Sequence, residues 1–74
     1  MRVNKSQAMM FILNTLIVRS EISKKEIKDK LDISDLTFRR YIQEIRAYIV
    51  NFEMGYEIIY LKSEDVYILK KNVI

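Results

Sequence analysis

Cysteine, histidine and proline are absent from this chain, and glycine occurs once. Without cysteine there is no disulfide framework, and nothing to read about redox compartment. Without cysteine and histidine the usual ligands of structural zinc are missing, so no metal site is expected. The same absences exclude Cys–His and Ser–His nucleophilic catalysis. No apolar run approaches the ~20 residues that cross a bilayer. Arg2 and Lys5 followed by Ala8-Met9-Met10-Phe11-Ile12-Leu13 superficially resemble a secretion signal. However, Asn14 and Thr15 interrupt the apolar core, and Arg19-Ser20-Glu21 stands where small residues should mark cleavage. The chain therefore reads as cytoplasmic, with no membrane partner. Its carboxylates are scattered and no glycine-rich phosphate loop exists. A domain of this size also offers little pocket. No enzyme activity, cofactor or small-molecule substrate is expected.

What is present is a dense supply of core residues. Half of the 74 residues are hydrophobic, which suits a small domain that buries only about 60% of its unfolded surface. One domain, 1–74, is expected. The net charge of +3 is modest and uneven: up to Leu31, seven basic residues oppose three acidic ones, whereas the remainder is nearly balanced. Such a balance permits nucleic-acid binding without demanding it.

Three helices and a hairpin follow from periodicity. The first helix spans about 5–18, with Met9, Ile12, Leu13, Leu16 and Ile17 as its buried stripe, and Met10, Phe11 and Val18 widening it. A helix so apolar needs cover, either from the C-terminal strands or from a second copy of the chain. Glu21-Ile22 is a link of minimal strand length. Ser23 and Glu26 have capping-box spacing and open a second helix to about residue 31, anchored by Ile27 and Leu31. Its Lys24, Lys25, Lys28 and Lys30 point outward, either as a solvated face or as phosphate contacts.

Ser34 is placed to cap a third helix, about 35–52, with Ile33 and Phe38 at the spacing of a hydrophobic staple. Phe38, Ile42, Ile45, Ile49 and Phe52 form its buried face. Leu36, Arg39, Arg40, Gln43 and Ala47 fall on the opposite side. Gly55 marks a chain reversal. The strand-like runs Glu57 to Leu61 and Val66 to Leu69 then flank the polar loop Lys62-Ser63-Glu64-Asp65, giving a hairpin at about 57–69. One apolar set of its alternating residues should pack on the helices, while the other is partly exposed or meets a partner. Val73 and Ile74 are expected to fray.

This order, α+β with three helices and a C-terminal β-hairpin wing, is that of a winged helix-turn-helix. The segment Ser34-x-x-Thr37-Phe38-x-Arg40-Tyr41-Ile42-x-x-Ile45 resembles the recognition-helix pattern of DeoR-type and Mga-type bacterial transcription regulators. The passage from Tyr48-Ile49-Val50-Asn51-Phe52 into the hairpin is similar to the Mga-type helix-to-wing passage. The resemblance implies that the third helix enters the major groove of double-stranded DNA, with the second helix in support. It implies phosphate or base contacts for Ser34, Thr37, Arg39 and Arg40, with Gln43 reaching deeper. Arg to guanine and Gln to adenine are the bidentate pairings that geometry allows. Thr37 could instead keep its hydroxyl within the first turn. Leu36 could meet a thymine methyl or belong to a protein-binding patch. Asp35 suits the helix dipole but repels phosphate. Glu64 and Asp65 make the wing acidic, so Lys62 is its one expected DNA contact. A homodimer through the first helix or the hairpin fits a regulator with two half-sites. The alternative function is a protein-interaction module on the same scaffold that does not itself bind DNA, suggested by Leu36 and by Tyr56, Tyr60 and Tyr67 of the hairpin.

Overall fold

The computed structural model describes residues 3–72; the fraying expected of Val73 and Ile74 lies outside the described residues. The elements run α1 (Lys5–Arg19), β1 (Glu21–Ser23), α2 (Lys24–Leu31), α3 (Asp35–Asn51), β2 (Tyr56–Leu61) and β3 (Val66–Lys71). The fold is α+β, with the element order of a winged helix-turn-helix. The link at Glu21-Ile22 is a true strand. It pairs antiparallel with β3, while β2 pairs with the other edge of β3, so the sheet order is β1-β3-β2.

Local chemistry sets each helix start. Asn4 caps α1: its Oδ1 accepts from the Gln7 N–H at 2.8 Å, and the Gln7 side chain accepts from the Asn4 N–H at 3.4 Å. The reciprocal capping box thus forms at Asn4/Gln7, a spacing the sequence carries and the reading above passes over. At α2 only half of the expected box exists. Ser23 Oγ accepts from the Glu26 N–H at 3.3 Å, but the Glu26 carboxylate turns to Arg19 at 3.4 Å instead of reaching back. Asp32 ends α2 in the left-handed conformation (φ 53°), which short polar side chains tolerate. Ser34 then caps α3 by accepting from the Thr37 N–H at 3.1 Å.

The core joins every element. Ala8, Ile12 and Leu16 of α1 meet Ile22 of β1, Ile27 and Leu31 of α2, Phe38, Ile42, Ile45 and Ile49 of α3, and Ile58 and Tyr67 of the hairpin. The staple pair Ile33 and Phe38 reaches it, and so do Ile22 and Ile27, which flank the Ser23 cap at the same spacing. The expected stripe of α1 needs correction. Its buried line is Ala8-Ile12-Leu16, at steps of four; Met9 and Leu13 are half-buried, and Ile17 is 44% exposed. Ala8 at this line leaves room for close approach of the helix, while Met10 and Val18, well round the helix from it, lie uncovered. Phe52 is also corrected. It is the C-cap of α3 and 69% exposed. The helix has ended there, so the ring lies against Tyr48 one turn back, centroids 4.9 Å apart, instead of in the core. The chain then reverses through two left-handed residues, Glu53 (φ 48°) and Gly55 (φ 75°). No atom lies within 4 Å of where a Gly55 side chain would begin, so glycine is required there for its φ and not for space.

In the hairpin, Ile58 and Leu69 pair, as do Tyr60 and Tyr67, on the face toward the helices. The opposite face carries Ile59, Leu61, Val66 and Ile68, all half-buried. Among the described residues, no helix is long and apolar enough to cross a membrane.

Candidate nucleic-acid interface

Phe38, Ile42, Ile45 and Ile49 lock one side of α3 into the core. At 3.6 residues per turn, the side directly opposite carries Leu36, Arg40, Gln43 and Ala47, and all four are exposed. Leu36 is 57% exposed. Arg40 has no ion-pair partner among the described residues. The same holds for Lys25 on α2 and Lys62 in the hairpin turn, both exposed.

Lys24, Lys28 and Arg39 behave differently. Asp35, the first residue of α3, draws the three together: Lys24 Nζ at 3.0 Å, Lys28 Nζ at 3.5 Å and Arg39 at 3.8 Å. Lys24 is also 3.7 Å from Asp65 in the wing turn, and its backbone N–H donates to the Asp65 carbonyl at 3.4 Å. The Tyr60 hydroxyl donates to the Asp65 carboxylate at 2.6 Å. A polar chain therefore runs from the wing through Lys24 to the start of α3. It shifts ionisation accordingly. The hydrogen bond from Lys24 holds the Asp35 carboxyl below its ordinary range, with Lys28 adding to the effect and partial burial opposing it. The same bond raises Lys24 against an opposing desolvation, and the bond to Asp65 raises the Tyr60 phenol.

Ser34 and Thr37 both have work inside the fold. The Ser34 hydroxyl donates to Thr37 Oγ1 at 3.0 Å while capping the helix. Arg46 is a residue the sequence reading missed. It stands seven positions after Arg39, on the same side of α3, and its guanidinium donates to the Ile58 carbonyl of β2 at 3.2 Å. Helical spacing from Asp35 and Arg39 was the available signal; the strand carbonyl it meets was not. Lys24, Asp35, Arg39, Gln43, Arg46 and Tyr60 line one cleft of about 330 Å³ between α3 and the wing. Thus Lys24, Lys28 and Arg39 are brought together around Asp35, whereas Leu36 and Arg40 face outward beyond them, with Gln43 between the two groups at the cleft. No cluster of His, Cys, Asp or Glu suited to a metal ion occurs among the described residues.

Comparison with family models, curated proteins and solved structures finds no match to this chain.

Proposed function

We propose that this chain is a DNA-binding transcription regulator of the DeoR-type or Mga-type winged helix-turn-helix class, acting in the cytoplasm and setting α3 in the major groove. The observation that carries the reading is the outward stripe of α3. Leu36, Arg40 and Gln43 are exposed on a helix whose opposite face is fixed by four core residues. A rigid helix with an unpaired arginine and a glutamine at groove-reading positions matches the side-chain chemistry of base recognition. Lys25 and Lys62 would supply phosphate-facing charge around it, with Lys24, Lys28 and Arg39 joining them only on leaving Asp35. A homodimer through α1 or the hairpin would place two such helices on half-sites about one helical turn apart.

Binding to random duplex DNA across a salt series tests this. The wild type should bind and weaken steeply with salt, and Arg39→Ala/Arg40→Ala should show a slope shallower by about one unit per lost phosphate contact. Absence of any salt-dependent binding at low ionic strength would overturn the reading. The second reading, a protein-interaction module, draws on the capture of three cations by Asp35 and on the exposure of Leu36.

A further inference from the structure

We infer that Asp35 sets the selectivity of the α3 face by competing with DNA phosphate for Lys24, Lys28 and Arg39. The inference rests on the DNA-binding reading and adds to it a residue that limits backbone affinity. The geometry is specific. Two ammonium groups and one guanidinium, from α2 and α3, lie within 3.0 to 3.8 Å of a single carboxylate. Three cations gathered around one anionic group occupy the arrangement that a phosphate would also demand. Asp35 is half-buried and its partners are themselves partly or largely open. Ion pairs still partly open to solvent, as these are, are individually weak. An incoming phosphate can therefore recruit the cations, but only by taking them from Asp35 and approaching a like charge. Sequence-independent backbone binding, which depends on the number of phosphates neutralised, is lowered. Leu36 and Arg40 lie away from Asp35 around the helix, so their contacts to base edges are not penalised in the same way. Specific binding is thus favoured over nonspecific binding.

The test compares wild type, Asp35→Asn and Asp35→Glu on random duplex DNA across a salt series, with circular dichroism to establish folding. Asp35→Asn should bind on the order of tenfold more tightly at low salt and with a slope steeper by about one to three units, one for each cation released. Asp35→Glu, which keeps the charge, should follow the wild type. Should Asp35→Asn unfold, Asp35→Ser serves in its place. Lys28→Gln gives an independent check: it should change the slope little in the wild type and by about one unit beside Asp35→Asn. Wild-type binding with no gain in Asp35→Asn sinks the inference and leaves the DNA reading standing. No binding by the wild type, whatever Asp35→Asn does, overturns the DNA reading and with it the inference that rests on it.

Discussion

Asp35, Lys24 and Tyr60 titrate as parts of one connected group, and the sign of each shift fixes its effect on stability. The Asp35 carboxyl is lowered by its bond from Lys24, with Lys28 reinforcing it. A depressed acid stabilises the fold above its unfolded value, and that contribution is lost as pH falls below about 4. Lys24, beside Asp35 and Asp65, and Tyr60, bonded to Asp65, are both raised. A raised lysine or phenol stabilises the fold below its unfolded value, and the contribution drains as pH climbs above about 10. The urea midpoint should therefore fall on both the acid and the alkaline side. Asp35→Asn should flatten the acid limb, and Tyr60→Phe should flatten the alkaline one; unchanged limbs would show that these bonds do not persist in solution. The magnitudes will be small because the groups are open to solvent. From residue identities alone, Asp35 was legible as a repeller of phosphate. Its role as collector of three cations was not, because Lys24 and Lys28 reach it from another helix.

Caps and turns decide the elements, and here the sequence was most informative. Ser34 and Ser23 open helices because a short hydroxyl in front of an apolar repeat has one favourable use. Replacing Ser34 with Ala should cost about 1 kcal/mol of stability, measured as a lowered urea midpoint at constant slope. Gly55 was legible as a reversal; at φ 75°, Gly55→Ala should cost about 1 to 2 kcal/mol, read from the same titration. The errors have a shared cause. Met9, Leu13, Ile17 and Phe52 are apolar at helical spacing, but periodicity cannot report how much neighbouring surface exists to cover them. In this chain α1 offers more apolar surface than the sheet and α3 can cover, and α3 stops where Phe52 would have turned inward. β1 was readable only as a short extended link, since its strand character comes from a partner more than forty residues away, with Ile22 opposite Tyr67.

At the scale of the whole molecule, one core serves all six elements, so unfolding should be a single cooperative transition. Phe38, fully buried with its ring edge-on to Tyr67 at 5.4 Å, links α3 to the sheet. Phe38→Ala should cost about 3 to 5 kcal/mol, a large share of what so small a domain possesses. Circular dichroism should show helix and sheet lost together; a surviving helical signal would mean that the helices hold without the sheet. The sheet order carries one last consequence, for synthesis. β3 comes last in chain order among the described elements and yet is the central strand. Neither β1 nor β2 has a partner until it emerges, and α1 and α3 lack part of their cover until then. A nascent chain stalled before Val66 would hold its helices without a lid and display their apolar faces. The domain cannot close while the ribosome is still building it, so completion of folding follows release of the last strand and does not keep pace with elongation.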